Sequence, residues 1–419
     1  MGISPRYRSL RGMPDILPES VCRMRWVQDT ARGVFKSFGF REIQTPVMEE
    51  TDVFIRSIGE DTDIVEKEMY TLTDRGGKSV SLRPEGTAPI IRAYIEHGWY
   101  SSPDLVKLFY FGPMFRGERP QKGRLRQFHQ IGVEMIGGRA PLIDVELISS
   151  LDRFLKELGL DGYTVMINSL GCSADRAAYK KKLSDYLRDK KDKLCENCAR
   201  RAEKNVLRVL DCKSENCRKA VQGAPSITGN LCPDCGAYYS RVVELLKASS
   251  IPCIEKADLV RGLDYYTGTI FEVVHPALGA QDAIAAGGRY DDLTKEMGGP
   301  DTGATGYAVG VERLLLAAGG SAPAGPEMPL MVIPMGEEFS SRAFGTLSMI
   351  RSRGVAAEMD MTGRSFKAQL KKANKDGRRF VVIIGENEIK EDKVTLKDMR
   401  EGTQSLVGVE EAVETIRNA

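Results

Sequence analysis

Arg116, Arg119, Lys122, Arg124 and Arg126 crowd a single stretch, FRGERPQKGRLRQFHQIGVE, together with Glu118 and Glu134. Arginine presents a rigid fork of donors that fits phosphate and carboxylate oxygens. A site for a polar ligand is one reading of the stretch, and a solvated hairpin tip is the other. Solvation explains the tip better than its flanks. Arg116 closes an apolar run, while Gln130 and Glu134, four residues apart on the returning strand, share one face. A buried polar group left without a partner costs about 1–3 kcal/mol. That face should therefore carry its own partners or a ligand.

Four further stretches hold residue types with little use in a plain core. In SLRPEGTAPIIRA, Glu85 and Thr87 leave a strand and enter a helix. They suit either a ligand or, respectively, a first-turn charge and an N-cap. LVRGLDYYTGTIFEV sets Arg261, Tyr265 and Tyr266 around Gly262 and ahead of Gly268, before a tail that alternates like a half-buried strand. AAGGRYDDL pairs Gly287 and Gly288 before Arg289, which permits close approach of backbone or a tight turn. GYAVGVERLLL places Arg313 in the first turn of a helix, where the dipole prefers anions; a bound phosphate would reconcile the two.

The elements that must position these residues follow from periodicity. Val21, Met24, Val27, Ala31, Val34, Phe35 and Phe38 recur at helical spacing, and the helix should end near Gly39. A strand is expected in GFREIQTPVME, with Pro46 at an edge or a break. MYTLTD, SVSLRP, DLVKLFYFGPMFR and RLRQFHQIGVEMIG read as strands, the last two as a long antiparallel hairpin. Residues 172–250 turn charged, helix-forming and cysteine-rich, as an insertion would, and strand patterns resume over 251–319. A Gly/Ala/Pro linker at 320–327 precedes residues 328–419, where short apolar runs alternate with helical stretches as in a small α/β domain.

At 419 residues the chain should form two or three domains, and 42% hydrophobic with 28% charged residues is the balance of a globular protein. A net charge of +2 requires any nucleic-acid contact to come from local basic patches. No run approaches ~18 apolar residues and the start lacks a signal-peptide core, so a cytoplasmic protein without membrane contact is expected. Its nine cysteines should then be reduced thiols or metal ligands. Cys195/Cys198 and Cys232/Cys235 are two C-x-x-C pairs with the ligand spacing of a structural zinc ribbon, against the alternative of free thiols.

Taken in order, these stretches resemble the class II aminoacyl-tRNA synthetases, and among them the histidine enzymes, over essentially the full length. GFREIQTPVMEETDVF resembles the first class motif, FRGERPQKGRLRQFHQIGVE the second and GYAVGVERL the third. LVRGLDYYTGTIFEV and AAGGRYDDL resemble stretches peculiar to the histidine family. The resemblance implies an α+β fold. Its catalytic domain, residues 1–171 and 251–319, would be an antiparallel sheet with flanking helices, and an α/β anticodon-binding domain would follow at 328–419.

The resemblance also implies an activity, in which L-histidine is activated with ATP and Mg²⁺ and then transferred to its tRNA by a homodimer. By similarity Arg116 would hold the α-phosphate, Arg313 the γ-phosphate and Glu118 the adenine edge, and Arg261 would be catalytic in place of a metal ion. Glu85, Thr87 and Gln130 would take the amino group and carboxylate of histidine. Tyr265, Tyr266 and Glu134 would line its pocket, the last two facing the imidazole. Arg119, Lys122 and Arg124 would grip the tRNA acceptor end, and Lys371 and Lys372 a further stretch of its backbone. The helical stretch GRSFKAQLKKANKDGRR, with seven basic residues against one acid, carries that last expectation against a plain solvated helix. Two rival functions are a catalytically inactive synthetase-like subunit regulating histidine biosynthesis and a nucleic-acid-binding module without catalysis.

Overall fold

A computed structural model describes residues 6–59, 62–279, 283–323 and 328–419. Of the expected linker, residues 324–327 lie outside the described residues. The chain divides into two units, residues 1–325 and 326–419.

Strands of the first unit are β1 (Arg41–Glu42), β2 (Met48–Glu50), β3 (Thr71–Thr73), β4 (Ser79–Leu82), β5 (Val106–Phe115), β6 (Gln127–Ile136), β7 (Thr164–Ser169), β8 (Cys253–Glu255), β9 (Thr267–Val274), β10 (Ala283–Arg289) and β11 (Ala304–Gly310). The order β1, β5, β6, β11, β10, β9, β7, β8 forms an eight-stranded sheet, parallel at its two edges and antiparallel between them. The expected hairpin is the β5–β6 pair, in register from Val106 opposite Ile136 to Phe115 opposite Gln127. β2, β4 and β3 make a small antiparallel sheet. GFREIQTPVME is thus not one strand but two, in different sheets, with Pro46 in the gap. Arg83 fastens that gap, donating from Nη1 to the Thr45 carbonyl at 3.0 Å and from Nε to the Pro113 carbonyl at 2.9 Å.

Helices α1 (Pro18–Ser37), α2 (Thr51–Ile58), α3 (Thr87–Glu96), α4 (Pro141–Glu157), α5 (Ser173–Arg188), α6 (Glu196–Lys204), α7 (Glu215–Val221), α8 (Pro233–Ala248), α9 (Leu293–Glu296) and α10 (Val311–Ala318) surround the sheet. Proline in the first turn starts α1, and Gly39, at φ +79°, turns the chain away after it. Strand alternation then sends side chains to two faces. Phe109, Ile131, Val133, Met135, Phe271, Val273, Tyr307 and Val309 pack with α1, α4, α8 and α10 in one core. Leu108, Tyr110 and Ile270 point the other way, towards Ile90 and Ile91 of α3 and towards Tyr179 and Leu183 of α5. The first face is mostly apolar. The second carries the polar residues.

In the second unit β12 (Leu330–Pro334), β13 (Ala357–Met359), β14 (Phe380–Ile384), β15 (Val394–Asp398) and β16 (Gln404–Val407) order as β13, β12, β14, β15, β16. The first three strands are parallel and the last two are added antiparallel. Val332, Val382 and Ile384 face one cluster, and Met331, Ile333, Val381 and Ile383 the other, so helices cover both faces.

Candidate active site

Glu134 is fully buried at the centre of the polar face. Its carboxylate accepts from Thr87 Oγ1 at 2.8 Å, from Tyr110 Oη at 3.5 Å and from the Tyr290 hydroxyl. Burial pushes its pKa up to about 8. Room for this cluster comes from glycines on the facing strands and on the turn into α3. A Cβ on Gly306 would overlap the Glu134 carboxylate, and one on Gly132 or Gly86 would overlap the Tyr110 ring. Neither Tyr110 nor Tyr290 was expected at the site. Tyr290 lies within AAGGRYDDL, the one sequence signal that pointed near it.

Thr87 opens α3 but does not cap it, because Gly86 holds the N-cap position and the threonine hydroxyl turns to Glu134. The N-cap alternative for Thr87 is thereby corrected. Glu85 instead reaches forward, its two oxygens accepting from the amides of Thr87 at 2.7 Å and Ala88 at 2.9 Å. Burial raises its pKa, and those bonds and nearby Arg116 oppose the rise. Tyr265 and Tyr266 are also buried at this face, with ring centroids 4.7 Å apart and Tyr290 edge-on at 5.5 and 6.4 Å.

Among the buried polar atoms at this face that find no hydrogen-bond partner among the described residues are Oε1 of Gln130 and Nε of Arg261. An orphaned acceptor and an orphaned donor are what a site built for a polar ligand leaves behind. Arg261 otherwise has Glu272 at 3.8 Å, and its guanidinium lies 5.4 Å from the centre of the Tyr266 ring. Glu272 opens onto a cavity of about 720 Å³ that is also lined by Arg124, Arg313, Leu259 and Val260.

The remaining arginines divide. Arg116 donates to the Pro84 carbonyl at 2.9 Å and lies over the Phe128 ring, so it links the β5–β6 hairpin to the turn carrying Glu85. Arg124 pairs with Glu118 at 3.1 Å, whereas Arg119 and Lys122 lie exposed at the tip. Arg313 lies in the first turn of α10 and runs alongside Gly123 of that tip. An interaction not expected from sequence fixes this helix: Glu312 accepts from the His129 amide and lies 2.9 Å from its Nδ1. Gly287 and Gly288 serve the sheet, since a Cβ on either would strike backbone of β11 or β9. Arg289 behind them is buried in an ion pair with Asp144 at 2.6 Å.

The expected cysteine grouping needs correction. Cys195, Cys198, Cys232 and Cys235 do not come together. Cys195 and Cys198 cluster with Cys212 and Cys217, and Cys232 and Cys235 with Cys172 and Asp175. The chain folds into helices rather than a ribbon here, and α8 carries Cys235 away to the other group. The basic stretch of the second unit is also thinner than its composition. Arg364 pairs with Asp360, Lys372 with Asp376, Arg378 with Glu358 and Asp376, and Arg379 with Asp398. Lys367, Lys371 and Lys375 are spaced by four along one side of α12 (Phe366–Lys375), and all three are exposed there; helices of the second unit are counted from α11 (Ser340–Ser352).

An antiparallel sheet with this buried polar face, a basic hairpin and a separate α/β unit defines a class II aminoacyl-tRNA synthetase. The family model described as histidyl-tRNA synthetase matches residues 12–314, and the anticodon binding domain model matches residues 330–419. The chain belongs to the histidyl-tRNA synthetase family. It is 47% identical over 416 residues to a histidine–tRNA ligase of Syntrophomonas wolfei, covering 99% of each chain, and 47% identical over 411 residues to one of Desulforudis audaxviator, covering 97% of each. Among solved structures, apo histidyl-tRNA synthetase of S. aureus superposes with a TM-score of 0.80 at 33% identity over 99% of both chains.

Proposed function

We propose that the protein activates L-histidine with ATP to histidyl-adenylate and pyrophosphate and then transfers histidine to the 3′ end of its tRNA. The orphaned pair on the polar face, Gln130 Oε1 and Arg261 Nε, carries this reading. Histidine offers a cationic amino group, a carboxylate and a ring N–H donor to the same pocket. The attacking carboxylate is already ionised near pH 7, so the step needs no general base. It needs positive charge fixed around the α-phosphate and an in-line approach.

In this reading Arg261 neutralises the carboxylate and α-phosphate, Arg116 holds the α-phosphate and Arg313 the γ-phosphate, with Glu118 at the adenine edge. Glu85, Thr87 and Gln130 orient the amino group and carboxylate. Glu134 and Tyr266 take the imidazole, with Tyr265 and Tyr290 closing around it. A pocket that pairs the ring's polar atoms can discriminate by ~10⁴–10⁵, because other amino acids leave its buried groups unpaired. Glu272, a carboxylate on this face that opens to the arginine-lined cavity, would offer a hard oxygen donor to a Mg²⁺ ion accompanying ATP, which would supply positive charge against the phosphates.

Arg119, Lys122 and Arg124 are assigned to the tRNA acceptor end and Lys371 and Lys372 to its backbone elsewhere. We also read the protein as a cytoplasmic homodimer pairing through the first motif, where Val47 and Met48 are exposed. No helix among the described residues is long and apolar enough to cross a membrane. Full-length similarity to histidine–tRNA ligases favours the enzyme over the regulatory alternative. The test is pyrophosphate exchange into ATP with each of the twenty amino acids and no tRNA. Exchange with histidine alone is expected; exchange with none would overturn the reading.

A further inference from the structure

We propose that Cys195, Cys198, Cys212 and Cys217 bind one zinc ion through four thiolates, and that this ion holds the segment bracing the Arg261 stretch. All four sulphurs lie within 4.8 Å of one another. Cys195 Sγ and Cys212 Sγ are 3.9 Å apart. Four ligands at about 2.3 Å from a tetrahedral centre stand about 3.8 Å from each other, whereas a disulfide would need about 2.05 Å. Four soft sulphur ligands in tetrahedral geometry suit zinc, with iron the other metal that takes such a set.

Local structure places the ligands with little freedom. Cys195 holds the N-cap position of α6, Cys198 lies in its first turn, and Cys217 lies in the first turn of α7. Cys198 and Cys217 are fully buried. The Cys195 amide donates to Cys217 Sγ at 3.1 Å, the kind of outer bond that orients a metal-binding thiolate. Free thiols packed as small hydrophobes are the plain alternative, but α6 and α7 have only nine and seven residues, many of them charged. Helices this short are marginal without an added tie.

Between the second and third ligands the chain reaches the catalytic face. Arg201 donates to Asp63 at 2.8 Å, Asn205 Nδ2 to Asp264 Oδ1 at 2.8 Å and Arg208 Nη1 to the Gly262 carbonyl at 2.8 Å. The last two bonds fix the turn immediately after Arg261, and the zinc ion would anchor their platform from both ends. Cys172, Asp175, Cys232 and Cys235 differ, because the two Asp175 oxygens already accept from the amides of Cys172 and Cys232.

Zinc content of the full chain, purified without chelator, tests the site against Cys198→Ser, Cys217→Ser and Cys235→Ser. One equivalent present in the wild type and in Cys235→Ser, and missing from the other two, is expected. A zinc-free wild type, or zinc unchanged in both Cys198→Ser and Cys217→Ser, overturns it. Should those variants fail to fold, X-ray absorption on zinc-loaded Cys235→Ser decides: a shell of four sulphurs at about 2.3 Å supports the site, and nitrogen or oxygen in that shell overturns it. For the bracing role, chelating the zinc should lower histidine-dependent pyrophosphate exchange at least tenfold, with recovery on adding zinc back. Zinc removed with exchange unchanged would overturn that role.

Discussion

Gly306 sits directly opposite Glu134 in the β6–β11 pair, and the space a methyl group would need there is occupied by the glutamate's own carboxylate. Gly306→Ala must therefore push Glu134 off its bonds to Thr87 and Tyr290. Overpacking of this kind costs about 1–3 kcal/mol. The expected result is a lower Tm together with a tenfold or larger rise in KM for histidine in pyrophosphate exchange. Wild-type values for both would show that Glu134 moves freely and is not held by the facing strand.

Glu134 also makes a pH prediction of definite sign. Its carboxyl has an ordinary pKa of 4.5 and titrates at about 8 in the folded pocket, because burial disfavours the charge. Between those values the folded state holds the extra proton, so this group's contribution to stability falls as pH rises from 4.5 to about 8 and levels off above. Glu134→Gln removes the titration. Between about pH 6 and 8 the unliganded wild type should lose more Tm than the variant, measured by calorimetry. Parallel slopes would place the ionisation below this window.

Arg261 is braced on three sides, by Tyr266, by Glu272 and by the turn that Arg208 holds, yet its Nε stays orphaned among the described residues. A donor pre-arranged for charge that develops in the transition state is typically worth ~2.7–4 kcal/mol. Arg261→Ala should lower histidine activation ~100-fold or more while circular dichroism and Tm stay near wild type. Near-normal exchange by the folded variant would remove Arg261 from the chemistry.

How far the site could be read in advance depended on whether its geometry was local. Period-two alternation along a single strand was enough to put Gln130 and Glu134 on one face, and the Gly-rich run before Arg313 announced a strand entering a helix. Tyr110 was hidden because LFYFG looks like ordinary core, and its role arises from Gly86 and Gly132 on other segments. The cysteines misled for the same reason. Spacing along the chain favoured joining the two C-x-x-C pairs, whereas helix packing brought Cys212 and Cys217 to the first pair. Basic composition overstated the α12 surface, since Arg378 and Arg379 are drawn into ion pairs at the strand that follows.

Ion pairing also separates two lysines of α12 that look equivalent in sequence. Lys371 is exposed in line with Lys367, whereas Lys372 is tied to Asp376 one turn on. A lysine with an acidic partner offers less net charge to a phosphate, and removing one phosphate-binding cation reduces the salt dependence of binding by about one unit of slope. The double reversal Lys371→Glu and Lys372→Glu should weaken tRNA binding and leave pyrophosphate exchange unchanged. Singly, Lys371→Glu should account for most of the weakening. Filter binding across a salt series reads both affinity and slope. Equal tRNA affinity in the double variant would mean that this side of α12 faces solvent in the complex, and a larger effect from Lys372→Glu would mean that the Asp376 pair opens to receive the phosphate.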